Sequence, residues 1–167
     1  MKKNLPALVA GFAAGVLQVV PVIKSFSCLI ILPLAGIFAL SLYQKSNKIF
    51  TPIDTKTAVI TGLMTGLFAA LFGTFFEIII TLITKTNDLV YVVNDLYAFI
   101  ESFPVDETVK SQVIALTEDV VNSIKTTGFS FLYSMSVLVN NLIINPVFAM
   151  IGALIGLKFI NSKIRNN

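Results

Sequence analysis

Residues 61–81 read "TGLMTGLFAALFGTFFEIIIT" and hold one ionisable side chain, Glu77. A carboxylate among apolar neighbours can relay a proton, hold a cation or anchor a polar network. Paired-carboxylate chemistry would need a second acid, and the apolar runs of the chain contain none. There is no histidine and one cysteine, Cys28. Within one chain this excludes a zinc site of Cys and His, an intrachain disulfide and a Ser-His-Asp or Cys-His unit. The sequence presents no metal site, no cofactor motif and no catalytic constellation, so a non-enzyme is expected.

What Glu77 can do depends on its company. It lies 21 residues beyond Lys56, roughly 31 Å along a helix, near one boundary of a hydrocarbon core about 30 Å thick. Gln18, Lys24, Asn140, Asn141 and Asn145 reach comparable heights in the other apolar runs. These six form a candidate polar cluster. One reading makes it a network that satisfies itself and holds helices in register. The other makes it an outward-facing vestibule for an ion, proton or small solute, with Glu77 as the charged ligand.

The elements that must position these residues are apolar. The chain has 167 residues, 56% hydrophobic and 13% charged, with a mean hydropathy of +0.87. A soluble domain is about 45–50% apolar and about 25% charged, so too little polar surface remains to coat a globule of this size. The lipid bilayer is the expected environment. The net charge of +3 comes from cations at the ends of apolar runs, which topology explains without a nucleic acid partner.

Four runs are expected to span, over about 5–23, 28–44, 58–84 and 129–158. The first two are short and joined by "KSFS" (24–27); they read as a tight spanning hairpin, with a re-entrant hairpin as the alternative. Lys2 and Lys3 before an apolar run also suit a signal peptide, but no small-x-small cleavage site follows Val20. The third run reaches roughly 40 Å and must tilt or project. Pro146 interrupts the fourth and is expected to kink it, with the nearby asparagines re-satisfying the freed carbonyl of Leu142.

Residues 85–128 form the hydrophilic insert. Leu89, Val92, Val93, Leu96, Phe99, Ile100 and Phe103 recur at helical spacing. Pro104 ends that helix, Asp106 caps a second, and Val109, Val113, Leu116, Val120 and Ile124 form its stripe until Gly128. The expected product is an amphipathic helical hairpin.

Alternating loops place Lys2, Lys3, Lys45, Lys48, Lys56, Lys158, Lys163 and Arg165 on one side, and Lys24, Lys85, Lys110 and Lys125 on the other. The excess of cations assigns the first side to the cytoplasm. Both termini are then cytoplasmic, in the cell membrane, and the insert lies outside.

In lipid, helices associate by close packing and hydrogen bonds, so small residues gather where they touch. Gly11 and Gly15, Gly62 and Gly66, and Gly152 and Gly156 are each four apart; Gly36 and Gly73 add to them. On the third run Gly62, Gly66, Ala69, Ala70 and Gly73 share a face, with Glu77 close to it. These glycines are expected to pack a bundle or to mediate self-association. "ALVAGFAAGVL" (7–17) and "AVITGLMTGLF" (58–68) place glycines alike, as a duplicated hairpin or shared low complexity would.

"CLIILPLAGIFALSLYQK" (28–45) followed by "DTKTAVITGLMTGLFAALFG" (54–73) resembles small prokaryotic membrane proteins grouped as domains of unknown function. The resemblance covers residues 5–80 and implies architecture only. The expected fold is an all-α integral membrane protein: four transmembrane helices in a glycine-packed bundle, plus an amphipathic helical hairpin on the outer side. The expected role is structural, accessory or assembly, as a homo-oligomer or with a membrane-protein partner. The alternative is a small transporter or channel built on the polar cluster.

Overall fold

A computed structural model describes residues 4–165. Lys2 and Lys3, used in the orientation argument, lie outside the described residues. Six α-helices follow in order: α1 (Leu5–Leu17), α2 (Leu32–Ser46), α3 (Thr55–Thr84), α4 (Asp88–Ser102), α5 (Glu107–Thr127) and α6 (Phe131–Arg165). No strand occurs among the described residues. Between α1 and α2 a 3-10 turn (Ile23–Phe26) and a π turn (Ser27–Ile31) lead directly into α2. Three helical stretches are long and apolar enough to cross a membrane: Ile23–Ser46, Thr55–Thr84 and Phe131–Arg165.

The first run departs from expectation. Helix α1 stops at Leu17, so its 13 residues cover about 20 Å, short of the hydrocarbon thickness of about 30 Å. Pro21 supplies the reason. It has no N–H for the Leu17 carbonyl four residues back, and its ring crowds that carbonyl. The chain tightens instead, with Val19 donating to Val16 O and Val20 to Leu17 O. It then turns through Val22 at φ 67°, where a β-branched residue is an outlier.

The helices form two compact units, Met1–Phe76 with Val137–Asn167, and Glu77–Ser136. The borders fall inside α3 and α6. In the first unit most of the buried apolar residues are small, with Leu32, Leu40, Ile53 and Leu157 as the larger ones. Ala7, Ala10, Ala14, Ala39, Ala58, Ala69, Ala70, Ala149 and Ala153 are buried, whereas Val9, Phe12, Leu34, Phe38, Leu71, Phe75, Ile143, Ile151 and Phe159 are exposed. A water-soluble core sorts the other way. Small residues inside and bulky apolar residues outside suit a solvent of lipid, where backbone approach holds helices together.

The second unit is built by local signals. Asn87 caps α4 by accepting from Val90 N–H. Phe103, extended as the residue before a proline prefers, ends it. Asp106 caps α5 through Thr108 N–H at 2.8 Å, and Gly128 closes it at φ 78°. A side chain there would be strained by that φ and would crowd the Leu82 backbone. Helices α4 and α5 pack on each other, and Val93 on α4 and Val120, Val121 and Ile124 on α5 are buried.

Candidate functional site

Within the first unit the glycines stand where backbones meet. A Cβ at Gly11 would lie 2.6 Å from Phe68 Cβ and 2.7 Å from Thr65 O; one at Gly15 would lie 2.9 Å from Gly73 N. These set α1 against α3. Gly62 faces Met150 and Ala149, and Gly66 faces the Pro146 backbone, setting α3 against α6. Gly36 faces Ala149 O, Gly152 faces Pro33 O and Gly156 faces Ile37, setting α2 against α6. No Cβ fits at most of these positions without moving a backbone.

The polar residues sit among these contacts. Asn145 Nδ2 donates to Gln18 Oε1 at 3.0 Å, and the same oxygen would lie 2.6 Å from a Cβ on Gly73. The absence of a side chain at Gly73 therefore makes room for the Gln18 amide. Asn145 donates its amide N–H to Gln18, just past the end of α1, and not to the Leu142 carbonyl that the proline frees. Asn141 Nδ2 donates to Thr74 Oγ1 at 3.0 Å. Gln18 Nε2 is buried with no partner among the described residues. Asn140 is exposed, and Lys24 sits half-buried in the 3-10 turn.

Glu77 belongs to the second unit. Its Oε1 accepts from the Tyr133 hydroxyl at 3.0 Å. The same unit buries the polar residues Thr81, Asn87, Ser130 and Ser134, and Tyr133 N–H donates to Ser130 Oγ at 3.4 Å. The candidate cluster is thus a set of short-range pairs: Gln18 with Asn145 and Asn141 with Thr74 in the first unit, and Glu77 with Tyr133 in the second.

Sequence reasoning overlooked Tyr133 and the threonines. Signals for both exist. Ser130, Tyr133 and Ser134 recur at helical spacing at the start of the fourth run, and Thr61, Thr65, Thr74 and Thr81 are polar interruptions of the third. Thr65 Oγ1 donates to Thr61 O at 2.7 Å, the bond by which a hydroxyl satisfies itself on its own helix.

Outside the apolar segments the carboxylates that cap helices are held ionised. Side-chain hydrogen bonding to Thr57 draws the Asp54 carboxyl below its usual range, and bonding to Thr108 does the same for Asp106. On α4, burial and then the charge of Glu118 push the Tyr97 hydroxyl up. Compared with known protein families, curated proteins and solved structures, the chain matches none.

Proposed function

We propose that this chain is a non-enzymatic, multi-pass protein of the cell membrane that serves a structural, accessory or assembly role. Helices α1, α2, α3 and α6 form its glycine-packed bundle, and both termini face the cytoplasm. Helices α4 and α5 form an amphipathic hairpin on the outer side. One observation carries the reading: the polar side chains of the apolar helices are engaged with one another, Asn145 with Gln18, Asn141 with Thr74 and Tyr133 with Glu77. Such pairs fix register between helices that small residues bring together. Helix α1 falls short of the hydrocarbon thickness, yet a hairpin of α1 and α2 returns the chain to its starting side at either depth, so the orientation survives. The resemblance of residues 5–80 to small prokaryotic membrane proteins adds to the architecture alone.

The test of function is purification from native membranes together with neighbours. A stable co-purifying membrane protein, or a defined homo-oligomer, is expected. Solute or ion flux in reconstituted vesicles that Glu77→Gln abolishes would overturn the structural role. The orientation is tested by replacing Cys28 with serine and placing single cysteines at Ser111 and Ser162. These are expected to label from opposite faces of the membrane; labelling from the same face refutes the topology.

The second reading, a small transporter or channel for an ion or small solute, draws on one observation. Gln18 Nε2 is a buried donor left without an acceptor among the described residues, which is costly unless something else meets it. The flux experiment decides between the two.

A further inference from the structure

At the end of the first unit that carries the C-termini of α2 and α6, the surface opens into a groove of about 600 Å³. Lys45 on the last turn of α2, Lys48 just beyond it and Lys163 on the last turn of α6 supply its charge. Ile49, Phe50 and Ile160 supply its apolar wall. Phe50 is 83% exposed, an apolar ring lining the same groove as the three lysines.

Lysines at the end of a helix usually have a duller explanation, which is to meet its last carbonyls and the negative end of its dipole. On α2 the carbonyls of Tyr43, Gln44 and Lys45 are already met. Asn47 N–H donates to Tyr43 O, Lys48 N–H to Lys45 O and Ile49 N–H to Gln44 O, and Asn47 Nδ2 adds a second bond to Tyr43 O. This backbone closure requires a left-handed residue, a position that favours glycine. Lysine stands there instead, at φ 51°. A strained non-glycine residue held by its surroundings points to a use for its side chain. Lys85, at φ 54° after α3, shows the alternative, since its ammonium donates to Thr126 O at 2.9 Å. Among the described residues the ammonium groups of Lys45, Lys48 and Lys163 have no hydrogen-bond or carboxylate partner.

The protein offers these lysines little negative charge. Asp54 is the one carboxylate in residues 1–76 and 137–167, and it is engaged with Thr57 N–H at the start of α3. The groove is also held in shape. Asn161 accepts from Ile53 N–H at 2.8 Å and donates to Ile53 O at 2.9 Å, clamping the connection between α2 and α3 onto α6. Ile53 itself is buried with Leu40, Ala58 and Leu157. The connection therefore presents Lys48 and Phe50 from a fixed base.

We propose that this groove binds the headgroup of an anionic phospholipid, its phosphate between Lys45, Lys48 and Lys163 and its glycerol and upper acyl carbons against Ile49, Phe50 and Ile160. The charge selects an anion, and the apolar wall beside it selects a lipid over a free phosphate. Basic pockets at the ends of membrane helices take anionic headgroups in this way. The site rests on the chain being embedded in lipid and not on which side it faces.

The test offers the full chain in detergent either phosphatidylglycerol or phosphatidylcholine and counts retained lipid by native mass spectrometry. One phosphatidylglycerol is expected to be held in preference to phosphatidylcholine. Each of Lys45→Gln, Lys48→Gln and Lys163→Gln weakens retention about fivefold, and the triple variant on the order of 100-fold. Lys125→Gln, on α5, leaves it unchanged. Equal retention of the two lipids by the unaltered chain, or a triple variant that still prefers phosphatidylglycerol, overturns the proposal. Displacement of the lipid by millimolar glycerol 3-phosphate overturns it in favour of a soluble anion. Failure of membrane insertion would show differently, as a chain monodisperse in water without detergent.

Discussion

The two units solve the same problem, holding helices together, by opposite means. In Met1–Phe76 with Val137–Asn167 most buried positions are alanine, glycine and threonine, with Leu32, Leu40, Ile53 and Leu157 as the larger exceptions, and many bulky apolar side chains face outward. In Glu77–Ser136 the buried apolar residues are Val93, Val120, Val121 and Ile124, and α4 and α5 each begin with a side-chain cap. Helices α1 and α2 carry no side-chain cap bond. Charge divides likewise. Apart from Asp54, every carboxylate of the chain lies between Glu77 and Asp119. Water penalises exposed apolar area and an unsatisfied helix end. Lipid does not penalise the first, so contact there depends on how near two backbones come. The difference lies in what is buried rather than in what is exposed, since α4 and α5 also leave Val92, Phe99, Val109, Val113 and Leu116 exposed.

Added volume where backbones touch is expected to have the largest effect. Gly66→Leu places a side chain against the Pro146 backbone with no flexible neighbour to yield. Overpacking usually costs about 1–3 kcal/mol, and this substitution is expected to reach at least the top of that range, measured as loss of resistance to unfolding in detergent. A leucine tolerated within about 0.5 kcal/mol would mean that α3 and α6 do not approach there. The converse change belongs to the second unit. Ile124 is fully buried, so Ile124→Ala removes volume and is expected to cost about 2–3 kcal/mol. Hydrogen exchange in α4 and α5 reads the effect. Little change would mean that the hairpin is held by something other than its own core.

Much of this division could be read before any coordinates. The three long apolar helices, Pro104 and the Asp106 cap act through near neighbours in the chain, so the residues state their own effect, whereas a glycine spacing does not name the helix it meets. Pro21 states its effect equally well, yet the expected first span ran past it to residue 23. An apolar run reports where lipid is tolerated, and a proline reports where the helix ends; the two need not coincide. The partners of the polar residues were less legible. Tyr133 meets Glu77 from 56 positions away, and Asn145 meets Gln18 from 127 away. Depth arguments bring such residues to similar heights without saying which side of a helix faces which. The groove at Lys45, Lys48 and Lys163 was hidden for another reason. A count of cations for topology treats each lysine as a label, and an unengaged ammonium is visible only once the helix carbonyls are seen to be closed by backbone.

If small residues and not polar bonds hold the first unit together, removing a polar bond should cost little. Asn145→Ala deletes the bond to Gln18 Oε1 and is expected to destabilise by about 1 kcal/mol, because an unfolded helix in lipid also finds partners for its polar groups. Measurement in the same detergent as Gly66→Leu puts the two on one scale. A loss above about 3 kcal/mol would reverse the order and give the polar network the larger share.

The smallest effect belongs to the cap of α5 and separates the units by their response to acid. Hydrogen bonding to Thr108 lowers the Asp106 carboxyl below its usual value of 3.8. A folded value below the unfolded one means that folding favours the ionised form. The cap's contribution is therefore complete above the unfolded value and is lost as pH falls through the lower folded value. Fraying of the first turn of α5, followed by amide exchange at Thr108 and Val109, is expected to rise in that acid window. Asp106→Ala should bring the same fraying at neutral pH and remove its pH dependence, whereas Asp106→Asn, which still offers an oxygen acceptor, should keep the turn closed at both pH values. The first unit, whose only carboxylate is Asp54 at the entry to α3, should show no matching change along α1 or α2. If those helices loosen in the same window, acid acts on the whole chain and the division between the two units fails.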